Sequence, residues 1–161
     1  MAEQGTRGTI LLVDDDPHCI DIISEVLKKA GLEIEIARDG EEALTKFTMK
    51  SFELVLTDLM MPKMSGMSLL KEIKRREKEA VVLVFTGFGT IESAVSAIKA
   101  GAYDYITKPI NLDELELVIN RALEKKRLIN QLNSLKGILI AALISIPIWL
   151  ILGVIIGWIW K

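Results

Sequence analysis

Short apolar runs alternate with helical patterns through the first 124 residues of the chain. Most of the apolar runs are five or six residues long, some of them alternating with polar residues, which is typical of strands, and the last has three residues. They predict strands over residues 9–14, 33–37, 54–58, 81–86 and 105–107. Amphipathic spacing and N-cap signals, among them Asp39 with Glu42 and Asn111 with Glu114, predict helices. These helices cover residues 17–30, 39–50, 65–76 and 90–100, and a last one starts near residue 112.

Strict alternation of strands and helices is typical of a parallel sheet with helices on both faces. The sequence therefore predicts a doubly wound α/β domain over residues 9–124, preceded by a short tail at residues 1–8. In such sheets ligands bind at the carboxyl ends of the strands. The residues that follow the predicted strands are therefore the first candidates for a functional site.

The hydrophobic pattern changes in the last segment of the chain, residues 137–161. Residues 138–160 carry no charge, and as a helix they would span roughly 34 Å, enough for a hydrocarbon core of ~30 Å. This length and composition predict one transmembrane helix rather than the core helix of a soluble domain, because the segment is apolar on every face. Gly153 and Gly157 form a G-x-x-x-G pair that would let two such helices pack closely.

Basic residues lie mainly before this apolar segment. Arg121, Lys125, Lys126, Arg127 and Lys136 precede it, whereas only Lys161 follows it. The positive-inside rule then predicts a single-pass protein of the cytoplasmic (inner) membrane, with the α/β domain facing the cytoplasm.

Residues 125–136 join the two parts. Leu128, Leu132 and Leu135 have the spacing of a short coiled-coil seam, which would make a homodimer possible. A helical linker of this kind would continue the last helix of the domain into the membrane span. A flexible amphipathic linker is the alternative, and the sequence leaves both open.

Composition narrows the classes of function. The 20 basic and 22 acidic residues nearly balance, so the chain has no overall positive field for nucleic acid, and we expect no nucleic-acid partner. One cysteine excludes an internal disulfide, and one histidine with one cysteine cannot form a zinc site.

Polar side chains follow four of the predicted strands. Asp14 ends and Asp15 follows the first strand, while Asp58, Thr86 and Lys108 end or follow the third, fourth and fifth strands. Carboxylates that converge at one sheet edge repel each other unless a cation lies among them, and oxygen ligands suit Mg²⁺. The alternative is that Asp14–Asp16 simply turn the chain and cap the first helix.

Four motifs in these positions resemble the receiver domains of two-component response regulators. They are LLVDDDP, LVLTDLMMP, LVFTG and YITKP, in the same order and strand context as in that family. The resemblance implies a flavodoxin-like five-stranded sheet of order 2-1-3-4-5. It also implies that Asp58 is phosphorylated by a histidine kinase or a histidine phosphotransfer protein.

The same resemblance assigns a magnesium site. Asp15 and Asp58 would bind Mg²⁺ directly, Asp14 would act mainly through water, and the backbone carbonyl of Met60 would supply a further oxygen.

It also assigns the phosphoryl contacts and the switch. Lys108, in a cis peptide bond with Pro109, and the Thr86 hydroxyl would bind the phosphoryl group. Thr86 and Tyr105 would then move together and change the face formed by residues 90–121.

These features predict a membrane-anchored phosphoacceptor protein, not an enzyme with its own substrate, because few residues remain for an output domain. A phosphorelay intermediate or phosphate sink without its own output is one alternative. A phosphatase of the haloacid dehalogenase type is another, since it also uses a strand-end aspartate, Mg²⁺ and a lysine. In that phosphatase family the D-x-D pattern is followed by x-T or x-V, and the Pro17-His18 pair after Asp14–Asp16 departs from this.

Overall fold

A computed structural model describes residues 7–87 and 89–159. Five strands and five helices alternate along these residues, and the strands form one parallel sheet of order β2-β1-β3-β4-β5, as predicted. The strands are β1 Arg7–Val13, β2 Leu32–Ala37, β3 Leu54–Asp58, β4 Val82–Thr86 and β5 Asp104–Thr107. The helices are α1 Pro17–Lys29, α2 Gly40–Met49, α3 Gly66–Arg76, α4 Ile91–Lys99 and α5 Leu112–Ile159.

The inner strand β1, which lies between β2 and β3, explains why helices cover both faces of the sheet. Ile10 and Leu12 belong to one buried cluster, which α1 and the start of α5 complete, whereas Leu11 and Val13 belong to a second cluster, which α2, α3 and α4 complete. Side chains that alternate along a strand point to opposite faces, and all four of these are fully buried. The doubly wound arrangement therefore follows from a strand that is apolar on both faces.

The helix starts are fixed by polar caps. Asp16, Asp39, Ser65 and Thr90 each accept a hydrogen bond from a backbone N–H of the first turn of α1, α2, α3 and α4. The predicted pairing of Asp39 with Glu42 is only half right, because the Glu42 carboxylate accepts from the backbone N–H of Arg38 and not from that of Asp39. The loop before α2 is thus held from two sides.

The chain divides into two compact units, one ending at Lys126 and the other beginning at Arg127. Residues 127–159 are helical, so the predicted linker 125–136 is part of α5 and has no irregular stretch. The described residues contain one helix long and apolar enough to cross a membrane, Leu112–Ile146, whose most apolar window has mean hydropathy 1.4 and is not buried. Gly153 and Gly157 lie in α5, but their packing lies outside the described residues.

Candidate functional site

The register of the sheet brings two predicted carboxylates together. Val13 pairs with Thr57, so the next residues, Asp14 and Asp58, lie side by side at the carboxyl ends of β1 and β3. Both carboxylates are buried, Asp14 completely. Two buried negative charges at neighbouring positions need a compensating cation.

Lys108 supplies that compensation. Its Nζ lies 2.7 Å from Asp58 Oδ2 and 2.9 Å from Asp14 Oδ2, so one ammonium bridges both carboxylates. The backbone N–H of Lys108 donates to the Thr86 carbonyl, and its Nζ lies 4.9 Å from the centre of the Phe85 ring. The peptide bond between Lys108 and Pro109 is cis, as the resemblance implies.

The electrostatics of the triad keep Lys108 charged. Burial alone would lower the pKa of the Lys108 ammonium, but the hydrogen bonds and charges of Asp58 and Asp14 outweigh it and raise the pKa above its usual value. The lysine is therefore a permanent cation at neutral pH. Two carboxylates and one ammonium leave the cluster with one excess negative charge.

Asp15 and Asp16 lie on the rim of this cluster. Both are exposed; Asp16 caps α1, and its backbone N–H donates to Asp14 Oδ1 at 2.9 Å. In the part of the chain that the structure describes, no three Asp, Glu, His or Cys side chains are grouped closely enough to hold a metal ion. The predicted set of Asp14, Asp15 and Asp58 is thus only partly assembled, because Asp15 does not join the other two.

The loop after Asp58 is held by its own backbone. The Met60 N–H donates to Asp58 Oδ1 at 3.1 Å, and the Gly66 N–H donates to the Leu59 carbonyl at 3.0 Å. A Cβ on Gly66 would overlap the carbonyl oxygen of Asp58, so only glycine fits this approach. The side chain of Met60 is exposed.

Thr86 and Tyr105 occupy neighbouring strands. Thr86 ends β4 and is fully buried, while Tyr105 lies in β5 and is half-buried. The Tyr105 hydroxyl is 2.8 Å from Ser93 Oγ at the start of α4. Sequence reasoning missed Ser93, whose only local signal is its place three residues after the cap residue Thr90.

A second feature that the sequence did not reveal ties the loop after Asp58 to α2. Lys63 has a positive φ of 60°, and its Nζ lies 2.5 Å from Asp39 Oδ2. Asp39 and Lys63 are 24 residues apart, so no local pattern links them.

Cys19 lies beside the cluster. Its burial, together with the hydrogen bond and negative charge of Asp14, raises the pKa of the thiol to about 12. The side chain is therefore a neutral thiol at physiological pH, consistent with a small, half-buried packing residue.

The comparisons with known proteins agree with this geometry. The family model described as response regulator receiver domain matches residues 10–120. The chain is 41% identical over 125 residues to the transcriptional regulatory protein ZraR of Klebsiella oxytoca, covering 77% of this chain and 28% of that protein. It is 39% identical over 129 residues to the nitrogen assimilation regulatory protein NtrX of Azorhizobium caulinodans, covering 79% and 28%.

A solved structure shows the same relation. The crystal structure of a response regulator receiver domain protein from Clostridium thermocellum superimposes with a TM-score of 0.71 and 36% identity, covering 75% of this chain and 98% of that chain. The chain spans less than a third of the length of the curated relatives it matches.

Proposed function

This chain belongs to the response regulator receiver domain family, and we propose that it accepts a phosphoryl group from a phosphohistidine onto Asp58. Receiver domains are phosphoacceptor signalling domains, so the proposal concerns which residues do this here. The observation that carries it is the Lys108 ammonium 2.7 Å from Asp58 Oδ2, with Asp14 on its other side. The family match also sets aside the phosphatase alternative.

The transfer itself needs few groups. A carboxylate oxygen of Asp58 forms a bond to phosphorus while the bond from phosphorus to the histidine nitrogen breaks, and that nitrogen keeps the electron pair. The product is an acyl phosphate: the Asp58 carboxylate loses its own charge, but the phosphoryl group carries two, so the excess negative charge of the cluster rises from one to two. Lys108 and the Thr86 hydroxyl are the groups that we assign to the phosphoryl oxygens.

The same charge count favours a divalent cation. Asp14 and Asp58 present hard, anionic oxygens, which are the ligands that Mg²⁺ prefers, and receiver domains generally bind Mg²⁺ at the phosphorylation site. Asp15 and the Met60 carbonyl are the further ligands that we propose, and Asp15 would have to turn from its exposed position on the rim toward Asp58 to reach the ion. When bound, Mg²⁺ supplies positive charge opposite the incoming phosphoryl oxygens.

We assign the output to a change at β5 and α4. The Tyr105 hydroxyl is held by Ser93 at the first turn of α4. If Thr86 moves and the Tyr105 ring moves in response, this hydrogen bond breaks and the first turn of α4 is released. The exposed apolar side chains of α4, Ile91, Val95 and Ile98, lie on the same element and are available for a protein contact. This makes the chain a signalling switch rather than a phosphate sink.

The apolar part of α5 supports attachment to the cytoplasmic membrane, with the receiver facing the cytoplasm. Ile138, Leu143 and Ile146 are among its exposed apolar side chains, and the basic residues lie before it. An apolar surface exposed on all sides of a helix is stable in a bilayer and unfavourable in water.

Phosphoryl transfer is tested on the full chain in lipid vesicles with Mg²⁺. Phosphoramidate replaces phosphohistidine as the donor, and incorporation is followed by intact mass. We expect one added phosphoryl group in the wild type and in Asp16→Asn, and at least a hundredfold less in Asp58→Asn. Equal incorporation in Asp58→Asn would overturn the assignment of Asp58 as the acceptor. If the wild type is loaded but hydrogen exchange in α4 does not change on loading, the protein is a phosphate sink and not a switch.

Attachment to the membrane is tested by extracting the vesicles with alkaline carbonate. A spanning helix stays with the lipid, whereas a peripheral protein is released. Release of the full chain would contradict the anchor without affecting the result for Asp58.

A further inference from the structure

One apolar stripe crosses the boundary between the polar and apolar parts of α5. From Leu128 the apolar positions follow in steps of four, three, four, three and four residues, which is the heptad spacing of a coiled-coil seam. The stripe consists of Leu128, Leu132, Leu135, Leu139, Ala142 and Ile146. Its leucines and Ile146 are each more than half exposed.

In the polar segment of α5, the residues beside the stripe argue against lipid as the partner that covers it. Between Arg127 and Lys136 the remaining faces of the helix carry the exposed polar residues Asn130, Gln131, Asn133 and Ser134, and one further apolar residue, the partly buried Ile129. A narrow apolar line on a mostly polar helix buries itself against one helix of matching pattern, not in a hydrocarbon phase. A second copy of this chain presents the same line.

The change of polarity along the helix fixes the direction of pairing. In an antiparallel pair, Arg127 and Lys136 of one copy would lie against the apolar residues 138–146 of the other, which costs the desolvation of their charges. In a parallel pair with equal register, polar residues face polar residues and apolar residues face apolar ones. Lys136 then lies beside the second copy's Gln131, so no like charges oppose each other across this seam.

We propose that residues 128–146 of α5 pair in parallel with the same residues of a second copy, through one unbroken seam from the polar segment into the apolar one. The proposal rests on the proposed function only in placing the apolar part in the membrane. It concerns the unit that begins at Arg127 and is independent of whether Asp58 is phosphorylated. The membrane span would then be half of a dimer interface as well as an anchor.

Cysteine crosslinking of the full chain in vesicles tests the seam. In a Cys19→Ser background, single cysteines replace the seam residues Leu128, Leu135 and Ala142, and matched controls replace Asn130, Gly137 and Ile144, each two residues further along the helix. A step of two turns the side chain about 200° around the helix, away from the seam. We expect disulfide dimers to form at least tenfold faster at the seam positions than at the controls. Equal rates of disulfide formation at both sets, or disulfide dimers only at Ala142 in the apolar segment, would overturn a continuous seam.

A charge substitution provides a second readout that does not depend on cysteine. Leu132→Lys places two like charges at the centre of the polar half of the seam, whereas Asn130→Lys places the same charge on the far face. We expect Leu132→Lys to lose the dimer by mass in mild detergent and Asn130→Lys to keep it. Phosphoryl loading of Asp58, measured on the same samples, reports the receiver separately, so that failure of the seam and failure of the phosphoacceptor assignment are distinguishable.

Discussion

Ser93 Oγ and Tyr105 Oη lie 2.8 Å apart, and the same Ser93 hydroxyl also takes part in the capping box of α4. Ser93 Oγ accepts from the Thr90 N–H at 3.0 Å and donates to the Thr90 carbonyl at 2.9 Å. The orientation of the Tyr105 ring and the first turn of α4 are therefore linked by one oxygen. A movement of the ring has a direct consequence for the helix.

This link predicts a measurable coupling. Ser93→Ala and Tyr105→Phe each remove one hydroxyl of the pair, and the double variant removes both. Because a hydrogen bond of this kind contributes about 0.5–1.5 kcal/mol, we expect a coupling free energy in that range from a double-mutant cycle. Urea unfolding of the full chain in mild detergent, followed by circular dichroism, gives the four free energies.

The cycle has its own control. Ser93→Thr keeps a hydroxyl at the same position and should retain most of the coupling to Tyr105. Additive losses in the Ser93→Ala cycle would mean that the two oxygens are neighbours without an energetic link, and the switch would then need another route to α4.

A second prediction concerns the buried charges. Lys108→Met leaves Asp14 and Asp58 without their shared cation, and an uncompensated buried charge costs about 3–5 kcal/mol. We expect a loss of that size in the free energy of unfolding in EDTA. Adding Asp14→Asn to this variant should recover part of the loss, because only one buried carboxylate then remains.

Magnesium provides the complementary measurement. If the carboxylates hold Mg²⁺, the ion should raise the unfolding midpoint of Lys108→Met more than that of the double variant with Asp14→Asn. Equal midpoint shifts in the two variants would exclude Asp14 from the metal site.

The sequence predicted the order of strands and helices well because β1 and β4 are apolar on both faces and each helix start has its own cap. It also predicted that Asp14, Asp58 and Lys108 converge, since they follow strands that end at one edge. It did not predict the contact of Ser93 with Tyr105 or that of Asp39 with Lys63, because both depend on loop conformations without a repeating pattern. The limits of the magnesium set have the same origin, since the conformation of the loop after β1 places Asp15 on the rim.

A third prediction follows from the close approach of Gly66 to the backbone of Asp58 at the end of β3. Gly66→Ala would force a Cβ against the carbonyl oxygen of Asp58, which is backbone and cannot rotate away. We expect loss of stable folding or a displaced loop after Asp58, seen as a large drop in the urea midpoint and in phosphoryl loading. Gly137→Ala is the matched control, because a Cβ there meets nothing within 4 Å and should favour the helix by up to about 1 kcal/mol. An unchanged midpoint in Gly66→Ala would show that the loop has room to shift.

The last prediction is a pH dependence that the sequence could not suggest. The hydrogen bond from Lys63, followed by that from the Glu42 backbone N–H, holds the pKa of the Asp39 carboxyl below its usual value. A carboxyl whose pKa is lowered by folding stabilises the native state above its unfolded pKa of about 3.9 and loses that contribution as the pH falls through the folded value. Asp39→Asn keeps a good N-cap for α2 but abolishes the charge, so the wild type should be more stable than this variant at pH 7, and the difference should vanish in acid. Asp39→Ala also removes the N-cap and should cost about 1 kcal/mol more than Asp39→Asn in the free energy of unfolding. This additional loss should persist in acid, because the protonated Asp39 carboxyl of the wild type still accepts a hydrogen bond from the Glu42 N–H. A difference between wild type and Asp39→Asn that stays constant from pH 7 to pH 3 would mean that the ion pair with Lys63 does not stabilise the loop that follows Asp58.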